Sequence, residues 1–414
     1  MTRLKKTILI ISSSEIYHNP RLIKAADEFS KNGFEVVVWN ILLGNISKND
    51  FQLFINKKPW QVISFDISRN TLVGKINLFI CSIVSKIGKF CWDKFKIKVG
   101  YNYYMSKGLF GFKIKFKPDA VYTNVIDTLP FSYKIAKRYN SVFCFDSQEL
   151  FTGQHQNSGE LFDWVNNSES EYMTKADIVL STTNVMAEQI KLKYPSITEV
   201  ITVRNLPNKL EKIVPKSPKA VLNLIWHGYA IYLNSRGVNL LIDGIKLCKT
   251  NVLLTLQGQI SEKEQDKIYT YIGDDHKHLI SFKPAAPVGE IVKSLLVYDI
   301  GLIGEQAENT NQLYTSSNKL FDYLHAGLPV IATKMPGLIE TIEPHQVGYL
   351  YETAEELADR IDYLHQNNTE YTYLSKNATN FAQNNLWSND FIKVIEAVNA
   401  NYDDKNKVVN RIAR

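Results

Sequence analysis

This chain of 414 residues has little that suggests metal or disulfide chemistry. Its four cysteines, Cys81, Cys91, Cys144 and Cys248, form no Cys-x-x-Cys pair and have no histidines at zinc spacing. A zinc or disulfide framework is thereby excluded, and a reduced cytosol fits. No Asp-x-Asp pair closes a strand-like run, so no paired carboxylates are offered to a divalent cation. No apolar stretch reaches the ~20 residues needed to cross a bilayer. The first apolar run, Thr7–Ile11, is five residues long behind a basic start. That is too short for a signal peptide and suits a buried strand. Glycine is missing where a phosphate loop might follow that strand: Ser12-Ser-Ser-Glu-Ile-Tyr-His-Asn-Pro-Arg21 contains none.

The rest of the composition is ordinary for a globular protein, with 45% hydrophobic and 22% charged residues. The length exceeds one core and fits two domains of roughly 200 residues. The net charge of +6 conceals an asymmetry: residues 1–150 hold 23 Lys and Arg against 11 Asp and Glu, the remainder 25 against 31. The basic part calls for an anionic partner. Its excess concentrates between Lys75 and Lys117, where ten lysines (75, 86, 89, 94, 96, 98, 107, 113, 115 and 117) meet one acid, Asp93. Apolar residues at Ile76, Phe79, Ile80, Ile83, Val84, Ile87, Phe90 and Cys91 follow helical spacing. The aromatics Trp92, Phe95, Tyr101, Tyr103, Tyr104, Phe110 and Phe112 interleave. Two readings stand: a helix lying on an anionic membrane surface, or one turning its apolar face to the core and a basic back to solvent. No RNA- or DNA-binding module accompanies the charges, so no nucleic-acid partner is expected.

Strand and helix signals alternate along the chain. Ile8–Ile11, a helix from about Pro20 to Lys31 and Phe34–Trp39 open it, followed by strands at 120–122, 142–145 and 177–181. Lys209 to Lys219 is polar, carries Pro215 and Pro218, and reads as a linker. The same alternation restarts with Leu222–Trp226, then 252–256, 279–282, 300–303 and 330–333. Ser261-x-x-Glu264 and Thr353-x-x-Glu356 are capping boxes that open helices. The expected fold is α/β, with two doubly wound domains and ligands at the carboxyl ends of their strands.

The most informative stretch is Ser316-Ser-Asn-Lys-Leu-Phe-Asp-Tyr-Leu-His-Ala-Gly-Leu-Pro-Val-Ile-Ala-Thr333. It reads as a helix stopped at Gly327 and a buried strand from Pro329, with Ser316 or Ser317 as helix cap. Lys319 then falls in the first turn, where the helix dipole disfavours a cation unless an anion is also bound. Asp322 lies three residues on, sharing its face. Such a face could hold a phosphate and a sugar hydroxyl, or simply an exposed ion pair.

Ser317-Asn-Lys-Leu-Phe-Asp-Tyr-Leu324 with Gly327, Pro329, Val330 and Ile331 resembles the donor-binding motif of retaining glycosyltransferases of family 4. That resemblance implies the GT-B fold, with two Rossmann-like domains facing a central cleft. An acceptor domain would span residues 1–206 and a nucleotide-sugar donor domain 207–386, with a last helix at about 387–402 crossing back. It further implies that Asp322 binds the ribose and that the helix start at Ser317, Asn318 and Lys319 faces the diphosphate. The turn His227-Gly-Tyr-Ala-Ile-Tyr-Leu-Asn-Ser-Arg-Gly237 resembles the family's diphosphate loop, placing Gly228, Tyr229 and Arg236 at the donor; alternatively Arg236 is an ordinary surface arginine. Phe145-Asp-Ser-Gln-Glu149 resembles an acceptor-side segment. Asp146, Gln148 and Glu149, with Ser13 and Ser14 of the first loop, are therefore acceptor candidates, although Asp146 could instead cap its turn.

The departures are Asp322 for Glu, Tyr314 for the family's first Glu, Tyr229 for an arginine and Gln148 for a histidine. They keep open a catalytically degenerate binding or regulatory subunit, and a nucleotide-sugar epimerase on the same fold. The expected function is retaining transfer of a sugar from a UDP- or GDP-linked donor, with Arg236 and Lys319 on the diphosphate. The acceptor would be a lipid-linked saccharide in capsule, O-antigen or exopolysaccharide synthesis. A cytoplasmic protein peripheral to the cell membrane, needing no metal or cofactor, is expected.

Overall fold

The computed structural model describes residues 5–97, 102, 105–208, 213–217, 219–287 and 289–412. Lys98, Tyr101, Tyr103, Tyr104, Lys209 and Pro218 lie outside the described residues, as do the side chains of Lys107 and Phe110. The chain forms two compact units. One comprises Met1–Ser181, Ala187–Val203 and Asp390–Arg414; the other comprises Thr182–Met186 and Arg204–Asn389.

In the first unit, β1 (Thr7–Ile11), β2 (Glu35–Leu42), β3 (Gln61–Asp66), β4 (Ala120–Thr123), β5 (Val142–Asp146), β6 (Ile178–Ser181) and β7 (Val200–Thr202) form a seven-stranded parallel sheet. Its order is β3-β2-β1-β4-β5-β6-β7, so the winding reverses between β1 and β4. Strands β1, β4 and β5 are nearly continuous apolar runs because helices cover both faces of a parallel sheet. The helix Pro20–Lys31 starts with Pro20 in its first turn and Asn19 accepting from Leu22 N–H. The last helix, Trp387–Ile412, brings Phe391 edge-on to Phe29, with centroids 5.1 Å apart.

The second unit repeats the design. Strands β8 (Leu222–Ala230), β9 (Val252–Gln259), β10 (Ile280–Lys283), β11 (Ile300–Ile303), β12 (Val330–Thr333) and β13 (Gly348–Tyr351) are ordered β10-β9-β8-β11-β12-β13, reversing between β8 and β11. One apolar cluster covers each face of this sheet, one around Trp226 and Tyr371, the other around Tyr323 and Phe381. Both caps form in their first half, Ser261 accepting from Glu264 N–H and Thr353 from Glu356 N–H, each at 3.3 Å, while the two carboxylates accept from Leu233 N–H and Glu352 N–H instead of the cap residues. Strands β3, β7 and β13 have no counterpart in the sequence reading. All three are sheet edges and half-buried, so they lack the continuous apolar runs that reveal central strands.

The helix Leu72–Phe95 departs from one of its two readings. Its buried residues are Gly74, Cys81, Ser85 and Gly88, and most of its large apolar side chains are exposed, with Leu78, Val84 and Trp92 half-buried. The core-facing reading is therefore replaced: small residues, not the apolar stripe, face the unit.

Candidate functional site

In a doubly wound sheet, ligands collect where the winding reverses, at the carboxyl ends of the two diverging strands. In the second unit these are the turn after β8 and the segment after β11. Two glycines bring them together. A Cβ on Gly237 would stand 1.6 Å from the Gly304 carbonyl oxygen, so only glycine allows this approach. Gly237 also has φ +68, outside the range L side chains favour. Arg236 just before it is left-handed too, at φ 54, and is exposed. The helix Val238–Leu247 thus begins beside Glu305, the first residue after Gly304.

Glu305 organises the cluster and was not legible in the sequence. Its Oε1 accepts a short bond from Lys319 Nζ and one from Ser317 Oγ at 3.3 Å. Thr333 Oγ1 donates to its carbonyl. Its Oε2 is buried with no hydrogen-bond partner. Three sequence expectations change accordingly. Ser317 sits at the N-cap of the helix Asn318–His325, yet no side chain caps that helix, because Ser317 turns its hydroxyl to Glu305. Ser316 does not cap it either; its hydroxyl is buried without a partner. Lys319 does not form an exposed ion pair with Asp322; it is 3% exposed and paired with Glu305.

Lys319 Nζ also lies 5.1 Å from the Trp226 ring centroid. Burial lowers the ammonium's pKa, Glu305 offsets that only partly, and the nearby Arg236 charge pushes it down further. Two cations therefore share a small region, the buried one paired with the Glu305 carboxylate.

Asp322 faces His227 instead, Oδ2 standing 3.4 Å from Nε2, which makes no hydrogen bond. Burial first, then the Lys319 charge, push the imidazole down to about 3, so it is neutral at physiological pH. Tyr323 fixes this corner: its hydroxyl accepts from His227 N–H at 3.3 Å and donates to the Leu302 carbonyl at 3.1 Å. Asn318 is exposed and accepts from Asn205 at 2.8 Å. Tyr229 is 79% exposed beside half-buried Gly228. Tyr314 is half-buried, and its carbonyl accepts from Thr183 Oγ1.

The winding reversal of the first unit, between β1 and β4, gathers a different set. Ser12 Oγ donates to the Ser14 carbonyl at 2.8 Å, shaping the loop that presents Ser13. Ser13 and Ser106 hydrogen-bond Asp127, which stands just beyond β4. Burial nevertheless pushes that carboxyl up to about 6, and its Oδ1 has no partner. Asn19 and Asn124 bond each other, and Gln148 Nε2 donates to the Asn124 carbonyl at 3.2 Å. Glu149 is half-buried nearby in sequence, its carbonyl accepting from Ser147.

Asp146 is not available to a ligand. It is fully buried, accepts from Arg21 Nε at 2.7 Å and Nη2 at 2.8 Å, and accepts from Tyr122 OH at 2.6 Å. Burial alone would lower the Arg21 pKa, but the charge and hydrogen bonds of Asp146, with smaller contributions from Tyr122 and Asp390, together more than offset it. Asp146 therefore braces β4, β5 and the first helix rather than meeting an acceptor. Among the described residues, no three His, Cys, Asp or Glu side chains gather as a metal-ion ligand set.

Residues 254–396 match the model of the glucosyltransferase 3-like C-terminal domain. No curated protein matches the chain. A glycosyltransferase from Rickettsia africae superposes with a TM-score of 0.65 at 16% identity, covering 98% of this chain and 99% of its own. Anabaena HepE, solved with UDP, gives 0.63 at 14%, covering 95% and 100%. The lipopolysaccharide outer core galactosyltransferase WaaB gives 0.60 at 13%, covering 94% and 99%. At these identities the likeness is one of fold. The fold is that of GT-B glycosyltransferases across both units, and the likeness to the glucosyltransferase 3-like domain covers residues 254–396.

Proposed function

We propose that the protein transfers a sugar from a nucleotide diphosphate donor to a saccharide hydroxyl, with retention of anomeric configuration. The supporting observation is the convergence of Lys319, Arg236 and Asp322 at the winding reversal of the second unit, beside an uncapped helix start. Negative charge grows on the departing diphosphate during transfer, and fixed cations where charge develops usually supply most of such catalysis. In this reading Lys319 and Arg236 take that role, joined by the N–H groups of the Asn318–His325 helix. Asp322 accepts the ribose hydroxyls in charge-assisted bonds, about twice as strong as neutral ones. His227, neutral at physiological pH, adds no positive charge beside that carboxylate. Because two cations already serve the phosphates, transfer is proposed to need no metal, and a chelator should leave the rate unchanged.

The donor is UDP- or GDP-linked in this proposal; Anabaena HepE was solved with UDP and with UDP-glucose. Ser13, Gln148 and Glu149 are proposed to meet the acceptor, joined by Asp127. The acceptor is a lipid-linked saccharide of cell-surface polysaccharide synthesis, met by a cytoplasmic enzyme at the inner face of the cell membrane. Nucleotide sugars screened by thermal shift test the donor reading, since saturation at ~100 times Kd adds about 2.7 kcal/mol. The stabilising compound should then be turned over, slowly with water and faster with acceptor, and NMR should find the donor's anomeric configuration retained in the product. Binding without any turnover would instead favour the degenerate subunit that Tyr314, Tyr229 and Gln148 suggest. Turnover to an isomeric nucleotide sugar would favour the epimerase.

A further inference from the structure

The helix Leu72–Phe95 has its amphipathicity reversed with respect to its own unit. Gly74, Cys81, Ser85 and Gly88 lie against the protein, and a Cβ on Gly74 would stand 2.3 Å from the Ser68 carbonyl. The close approach of this small-residue face leaves the opposite face outward. There Val73, Ile76, Phe79, Ile83, Ile87 and Phe90 are between 42% and 67% exposed. At 100° per residue they share a stripe about 120° wide, running nearly the full helix. Isolated exposed apolar residues need no explanation, but a continuous stripe of this kind marks a surface meant to be covered.

Charge identifies the cover. Exposed Lys75 and Lys86 flank the stripe, and exposed Lys94 and Lys96 close its C-terminal end. Lys89 is engaged with Asp93 and Glu160. Residues 1–150 carry 23 basic against 11 acidic side chains. A second copy docking here would bring like charge against like, whereas an anionic lipid surface offers opposite charge above and hydrocarbon below. None of the described helices is long and apolar enough to cross a membrane.

We infer that the helix Leu72–Phe95 lies in the plane of an anionic membrane, its Phe79–Ile83–Phe90 stripe in the acyl boundary and its flanking lysines among the headgroups. This deepens the proposed use of a lipid-linked acceptor, and it stands apart from the donor site. Binding then has two components: a lysine share that is screened by salt, and an apolar share that resists it.

The test is flotation with phosphatidylcholine vesicles, with and without phosphatidylglycerol, at low and high salt. The full-length wild type should float with the anionic vesicles and retain a fraction at high salt. Phe79→Ser/Ile83→Ser/Phe90→Ser should lose the salt-resistant fraction and weaken binding at least about tenfold, since three apolar insertions are gone. Lys75→Glu/Lys86→Glu/Lys94→Glu should lose the preference for anionic lipid. All three sites of the serine variant are exposed, so its melting temperature and UDP affinity should match wild type; a change in UDP affinity alone would concern the donor site instead. Wild type that stays unbound with both lipids, or a serine variant that floats like wild type, overturns the inference. A wild-type dimer split by the serine variant, without vesicle binding, would overturn it in favour of a second copy.

Discussion

The two winding reversals of this molecule occupy equivalent places on equivalent sheets, yet they carry opposite chemistry. Between β8 and β11 stand Arg236, Lys319, Glu305 and Asp322, with His227 held neutral. Between β1 and β4 stand Ser13, Asn19, Asn124 and Gln148, with the Asp127 carboxyl pushed towards its neutral form. Sheet topology fixes where a ligand can sit, and loop residues decide which ligand. The first set suits a diphosphate and a ribose. The second suits the hydroxyls of an uncharged sugar. In the proposed function, one scaffold used twice holds the two substrates of a group transfer.

The largest expected effect removes the cation from the charged reversal. Lys319→Ala leaves the half-buried Glu305 carboxylate without its cation, which should cost up to about 3 kcal/mol of stability as well as UDP affinity. Lys319→Met combined with Glu305→Gln should recover much of the stability in urea melts but not the binding. Full recovery of UDP affinity would show that the pair is only structural.

Asp127 tests the other side of the comparison. Its folded-state pKa lies above the unfolded one, near 3.9, so it favours folding fully below about pH 4. That contribution, up to ~3 kcal/mol, is lost as the pH rises through about 6. Asp127→Asn should flatten the decline in melting temperature across that window; an unchanged slope would place the titration elsewhere.

Arg236→Gly should separate binding from folding. Its left-handed backbone suits glycine, so stability should rise by roughly 1 kcal/mol. UDP affinity, meanwhile, should fall about tenfold or more with the lost charge-assisted bonds. Asp322→Asn should have the smallest effect, about 1 kcal/mol in affinity by calorimetry for a nucleoside diphosphate, without a shift in melting temperature.

Central strands and the Asn318–His325 helix were readable because buried parallel strands are apolar runs and the helix has a dense local motif. Glu305 was not, because it precedes Lys319 by fourteen residues and belongs to no spacing pattern. The Arg21–Asp146 pair spans 125 residues and exists only once the sheet is wound. Burial likewise decided two outcomes that sequence left open. It depresses His227 and raises Asp127, and neither shift has a local signal. The Leu72–Phe95 helix shows periodicity at its limit. Spacing identified the apolar stripe, but only packing of Gly74, Cys81, Ser85 and Gly88 revealed which way it faces.

The central claim is that the β8–β11 reversal grips a diphosphate, and calorimetric titration of UDP, UMP and uridine tests it most directly. Wild type should bind UDP at least tenfold more tightly than UMP, since the second phosphate meets Arg236 and Lys319. In Arg236→Gly that preference should shrink while uridine affinity stays unchanged. Equal affinity for UDP and UMP in the wild type, or a preference untouched by Arg236→Gly, would contradict the claim.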